Sequence, residues 1–184
     1  MPAESRDSAV LTDIVKRIDA LDGLIKDLLL FARPPEPRRA SVDVVPLVTM
    51  TADLLRRDPS FEQVVVGVTG SAPPVLADAE MLKIVVQNLL VNSAQAMQGH
   101  GKIDVAIEAQ DGACFMVFID TGPGIPLEIR DQVFTPFFTT KSRGTGLGLP
   151  TAKRLIEAHR GEIDIDYPEK GGTRVTVRIP TQSA

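Results

Sequence analysis

Asp120-Thr121-Gly122-Pro123-Gly124-Ile125-Pro126 decides how this chain is read. The apolar run from Ala113 to Asp120 has the composition of a strand. It ends in a carboxylate, and glycines spaced two apart follow at once. Bare glycines let the main chain approach a flat ligand closely. Asp120, at the strand end, can accept a hydrogen bond from an exocyclic amine. The plain alternative is an ordinary turn capped by Asp.

Upstream lies Asn88-Leu-Leu-Val-Asn92-Ser-Ala-Gln-Ala96, within a helical pattern that runs from Asp78 to Met97. Asn88 and Asn92 are four apart and share one helical face, so both amide oxygens can meet one ligand, such as a hard cation of the Mg²⁺ type. Two solvent-facing amides are the plainer reading. Downstream, Gly144-Thr145-Gly146-Leu147-Gly148-Leu149 runs straight into a helix predicted over Leu147 to His159. Free N–H groups and the positive end of the helix dipole there suit an anion, naturally a phosphate. A flexible connection is the alternative for a glycine-rich loop taken alone. Between these clusters, Phe134-Thr-Pro-Phe137-Phe138 can anchor the unperiodic, Thr- and Gly-rich segment from Thr135 to Gly146, which is expected to be mobile.

In this order the clusters resemble the N, G1, F and G2 boxes of the histidine-kinase branch of the ATPase superfamily that also includes gyrase, the Hsp90 chaperones and MutL. The resemblance spans Asp78 to Pro180. It implies that Asn92 coordinates Mg²⁺ bridging the phosphates of ATP, with Asn88 beside it on the metal or phosphate side. It further implies that Asp120 reads the adenine amine, that Gly122, Gly124 and Ile125 make room for the base, and that Thr173 joins Asp120 around the base through water. Phe134 and Phe137 would hold the lid. Gly144, Thr145, Gly146, Leu147, Gly148 and Leu149 would form the phosphate cradle. Lys141 either reaches the phosphates from the lid or is a solvated surface lysine. Where many relatives carry a basic residue and an aromatic after the second asparagine, this chain has Gln95 and Ala96. The Asn-Ser-Ala-Gln-Ala form and the Phe137 to Lys141 run are similar to the nitrogen-regulation type of sensor kinase.

The rest of the chain predicts a helix over 43–57 with Asp43 as N-cap, and a valine-rich strand over 61–69. Strands are expected over 102–108 and 113–120 around a Gln110-Asp111-Gly112 turn, and a short helix over 126–133. A final pair of strands, 162–167 and 173–179, turns at Glu169-Lys170-Gly171-Gly172. The expected class is α+β: a two-layer α/β sandwich whose mixed, mostly antiparallel sheet is covered by helices, preceded by one long helix.

That helix shows in Leu11, Ile14, Ile18, Leu21, Ile25 and Leu28, spaced alternately three and four apart, and stops at Ala32-Arg33-Pro34-Pro35-Glu36-Pro37. It resembles the second helix of a dimerisation and phosphoacceptor hairpin. The expected organisation is therefore residues 1–33 as that helix, 34–42 as linker and 43–184 as ATP-binding unit. The apolar seam calls for a cover, either a second copy of the chain or the ATP-binding unit. The acceptor histidine belongs to a first helix not found in this sequence; His100 and His159 both read as surface residues. The chain thus looks truncated.

A 184-residue chain with 43% hydrophobic residues can bury one solid core. A net charge of -4 with scattered signs gives no basic stripe, so nucleic acid is not an expected partner. The single cysteine, Cys114, sits in an apolar run and reads as a core filler in a cytoplasmic protein whose parent either is or is not membrane-anchored. Expected partners are ATP, a phosphoacceptor helix of the same or a partner chain, and a cognate response regulator. The competing functions are another ATPase or serine kinase of the same superfamily, or a non-catalytic nucleotide-binding module. The N-box helix carries no acid between Asn88 and Met97, which argues against a dedicated hydrolase.

Overall fold

The computed structural model describes residues 3–141, 144–168 and 171–181. Glu169 and Lys170 of the expected turn, and Ser142 and Arg143 of the expected mobile segment, lie outside the described residues.

The chain begins with helix α1 (Ala3–Ala32) and continues through β1 (Ala40–Val42) to α2 (Val44–Leu55). Asp43 caps α2, its side chain accepting from the N–H of Val45. After a 3₁₀ turn at Pro59–Phe61 come β2 (Gln63–Gly70), β3 (Val75–Ala77) and α3 (Ala79–Ala96). β4 (His100–Gln110) and β5 (Ala113–Asp120) form a hairpin. Its turn has Asp111 at φ 49° and Gly112 at φ 72°, the two positive values a tight hairpin with right-handed twist demands. The expected short helix is a 3₁₀ segment, Leu127–Gln132, followed by α4 (Gly148–Ala158), β6 (Glu162–Asp166) and β7 (Arg174–Pro180).

The main sheet runs β2-β4-β5-β7-β6, with β2 parallel to β4 and the other pairs antiparallel. A parallel pair needs a crossover, and α3 supplies it. Alternation along the strands sends Ile103, Val105 and Ile107 of β4, Met116 and Phe118 of β5, and Val175, Val177 and Ile179 of β7 into one buried layer. Leu82, Val85, Val86, Leu89 and Leu90 of α3 and Leu155 and Ile156 of α4 complete that layer from the helical side. Cys114 is fully buried within it, and burial pushes its thiol up to about 11.

The connection after α1 is not a bare hinge. β1 pairs antiparallel with β3, the Arg38 N–H donates to the Asp78 carboxylate at 2.8 Å, and Arg39 donates to the Ala158 carbonyl at 3.0 Å. α1 meets the sandwich near its C-terminal end, where the Arg154 guanidinium donates to the Phe31 and Ala32 carbonyls and stacks on the Phe31 ring at 4.9 Å. The seam residues Leu11, Ile14, Ile18, Leu21, Ile25 and Leu28 remain exposed. No helix among the described residues is long and apolar enough to cross a membrane.

Candidate functional site

Asp120 closes the alternating row Met116, Phe118, Asp120, so the strand that delivers core side chains delivers a carboxylate to the same face. It is 5% exposed. A carboxylate so far from water needs donors, and it has them. Oδ1 accepts from the N–H of Gly122 at 2.9 Å and of Thr173 at 3.1 Å, while Oδ2 accepts from the Ser93 hydroxyl at 3.1 Å. The main chain locks the same corner, with Asp120 N donating to Thr173 O at 3.0 Å and Gly172 N to Gly122 O at 2.9 Å. Gly172, at φ 82°, fits because a Cβ there would fall 2.1 Å from the Asp120 carbonyl oxygen.

α3 forms the opposite wall. Its buried row runs through Leu82, Val86, Leu89 and Leu90 to Ser93, which is why the Ser93 hydroxyl reaches Asp120. Asn88 and Asn92 lie on the half-buried flank of the same helix. The first residue of α4 abuts both: a Cβ on Gly148 would sit 3.6 Å from Asn88 Oδ1 and 3.7 Å from Asn92 Nδ2. The two amides and the N-terminus of an eleven-residue helix therefore face one space.

Phe137 and Gly146 are tied together through the main chain. Phe137 N donates to Gly146 O at 3.1 Å, and a Cβ on Gly146, at φ 68°, would come within 2.5 Å of the Phe137 carbonyl carbon. Phe137 itself takes a left-handed φ of 65° and is 62% exposed. Phe134 packs on the core with the Lys153 ammonium 4.9 Å from its ring, so neither ring faces the cavity and Phe138 lines it instead.

Lys141 is not a solvated surface lysine. Its Nζ donates to Asn92 Oδ1 at 2.8 Å and Gln95 Oε1 at 2.9 Å, with the Asn92 carbonyl at 3.5 Å. Burial pulls its pKa below the ordinary lysine value, and the negative charge of Asp120 works the other way.

A single cavity of about 840 Å³ unites these parts. Asn88, Asn92, Asp120, Gly124, Ile125, Lys141, Gly144, Thr145, Gly146, Gly148, Leu149 and Thr173 line it; Gly122, Phe134, Phe137 and Leu147 do not. Gly122 and Leu147 act from behind, the first on the Asp120 carboxylate and the second as a buried core residue. Ser93, Gln95 and Asp27 also line the cavity and were not expected. Ser93 had a readable signal, four residues beyond Leu89 on the buried row; Asp27, brought in by α1, had none. Among the described residues no group of three His, Cys, Asp or Glu side chains is placed to hold a metal ion, so a metal here would draw on amide oxygens such as those of Asn88 and Asn92. Asn92 Oδ1 already serves a cation, the Lys141 ammonium, which fits that use.

The expectation of a surface His159 is corrected. The ring is 4% exposed, Nε2 accepts from the Asp78 N–H at 2.9 Å and Nδ1 donates to the Leu155 carbonyl at 2.7 Å. Its place at the end of α4, against the start of α3, buries it. His100 is exposed, as expected, and begins β4.

The chain is similar to known proteins in sequence and fold. The family described as histidine kinase-, DNA gyrase B- and HSP90-like ATPase matches residues 77–183. The signal transduction histidine-protein kinase AtoS of Escherichia coli (strain K12) is 34% identical over 92% of this chain, which spans 28% of its length. The sensor histidine kinase ZraS of the same strain is 31% identical over 91% of the chain, which spans 36% of its length. Among solved structures, the mycobacterial sensor histidine kinase MprB is 30% identical with a TM-score of 0.67, covering 79% of this chain and 99% of that one.

Proposed function

Because this chain belongs to the histidine kinase-, DNA gyrase B- and HSP90-like ATPase family, we propose that it is the ATP- and Mg²⁺-binding catalytic part of a two-component sensor histidine kinase. The observation that carries this reading is the convergence of the Asp120 carboxylate, the Asn88 and Asn92 amides and the start of α4 on one cavity. Asp120 would accept from the adenine amine with Thr173 beside it, and Gly124 and Ile125 would flank the base. The N-terminus of α4, entered through Gly144, Thr145 and Gly146, offers N–H groups to the phosphates. Asn92 and Asn88 would hold Mg²⁺, which supplies charge neutralisation at the phosphates when bound.

The reaction is phosphoryl transfer by positioning. A bond forms between an imidazole nitrogen and the γ-phosphorus as the bond to the β–γ bridging oxygen breaks, and ADP leaves. Neither histidine here suits the acceptor role. Both ring nitrogens of His159 are engaged, and His100 lies outside the cavity lining. The acceptor would be a histidine on another helix, of the same protein or a partner copy. No described residue of α3 that lines the cavity carries a carboxylate, so α3 offers no base to activate water, and Asp120, on β5, is occupied by three donors. In this reading α1 is the second helix of the dimerisation hairpin, its exposed seam joins a second copy, the stretch through residue 42 is the linker and residues 43 onward form the ATP-binding unit. A cognate response regulator receives the phosphoryl group in turn, and the unit works in the cytoplasm. Titration calorimetry with ATP and Mg²⁺ tests the site: Asp120→Ala is expected to remove nucleotide binding, and unchanged affinity would falsify the assignment.

A further inference from the structure

The Lys141 ammonium is a half-buried cation whose hydrogen-bond partners are neutral oxygens, those of Asn92 and Gln95. Among the described residues no carboxylate lies within ion-pair distance of it. A half-buried ammonium with no carboxylate in contact, the Asp120 charge acting only from a distance, is incompletely compensated, so its position favours the arrival of an anion. The same cavity wall presents the N-terminus of α4, a second feature that selects for negative charge.

Asn92, Gln95 and Lys141 divide this task unequally. Asn92 and Gln95 are three apart on α3 and make one ridge, with Lys141 lying across it from the lid. Gln95 is exposed and Asn92 is half-buried beside Gly148. An amide oxygen that serves the ammonium is not at that moment free for a metal ion. Gln95 gives the lysine a second anchor that does not compete with the metal.

We propose that Gln95 is the positioning residue for Lys141: when nucleotide and Mg²⁺ take over Asn92, Gln95 keeps the ammonium on the ridge, facing the terminal phosphate, so that the pair selects a triphosphate over a diphosphate. This rests on the reading of the cavity as an ATP site. Gln95 thus holds in place, from the helix, a cation contributed by the lid.

The test is calorimetry of ATP and ADP on the whole chain carrying Gln95→Ala, Lys141→Met, or both. A charge-assisted hydrogen bond to the terminal phosphate corresponds to about a tenfold change in affinity. Gln95→Ala is expected to weaken ATP severalfold and Lys141→Met about tenfold, with ADP nearly unchanged and the double variant no worse than Lys141→Met. Equal losses for ATP and ADP, unchanged ATP affinity in Gln95→Ala, or fully additive losses would each overturn the role of Gln95. Failure of the unaltered chain to bind either nucleotide would instead overturn the reading of the cavity, and the proposal with it.

Discussion

The His159 imidazole accepts the backbone N–H of Asp78 at 2.9 Å, tying the end of α4 to the residue that caps α3. Because Nε2 accepts, the proton sits on Nδ1, where it donates to the Leu155 carbonyl. His159→Phe would keep the volume and leave both main-chain groups without a partner in a buried place. Such groups cost about 1–3 kcal/mol. Urea unfolding should show a loss of that order with an unchanged slope, and no loss would mean that water replaces the ring.

Asp78 gives a pH signature. Burial opposes its ionisation, yet the N–H groups of Arg38, Met81 and Glu80 that it accepts hold the carboxyl below its ordinary value. A depressed folded-state pKa contributes stability that is present above the unfolded value of about 3.9 and is lost as pH falls through the folded one. Asp78→Asn keeps the oxygen that caps α3 but sets an NH₂ against the Arg38 N–H and removes the stabilised charge, so a modest loss is expected at neutral pH. Its unfolding midpoint should fall less steeply than that of the unaltered chain below about pH 4. Parallel acid curves would remove Asp78 from the account.

Arg154 is the clasp between α1 and the sandwich. It reaches carbonyls at the negative end of the α1 dipole and covers the Phe31 ring. Arg154→Ala should raise amide hydrogen exchange in the last turns of α1, around Leu28 to Ala32, and leave exchange in α3 unchanged. Protection of those turns at the original level would show that other contacts hold the helix.

What could be read from sequence was what is local. The Asp43 cap, the helix starting at Asp78, the ends of β5 and the tight turn at Gly112 follow from residues within one or two turns of chain. The three-residue strands β1 and β3 carry no usable alternation, and the parallel pairing of β2 with β4 depends on a crossover. The partners of Lys141 and His159 lie 49 and 81 residues away, so one read ambiguously and the other wrongly as a surface group. Most motif residues line the cavity, but Gly122 and Leu147 stand behind it and Phe134 and Phe137 do not reach it, since an aromatic run does not say which ring faces inward.

The Asp120 corner separates recognition of the base from folding. In Asp120→Asn one amide oxygen can still accept from Gly122 and Thr173, and the NH₂ in place of Oδ2 can donate to the Ser93 hydroxyl. The fold should survive, with an unfolding midpoint near that of the unaltered chain. What disappears is the carboxylate that would accept from the adenine amine, because the replacing NH₂ is a donor facing a donor. ATP affinity should drop at least about tenfold, and the preference for ATP over GTP should shrink with it. Ser93→Ala leaves the carboxylate in place and removes one of its three donors, so it should weaken ATP less than Asp120→Asn does. Titration of both variants with ATP and GTP gives the ranking; an Asp120→Asn chain that still prefers ATP as strongly as before would mean that base selection resides elsewhere in the cavity.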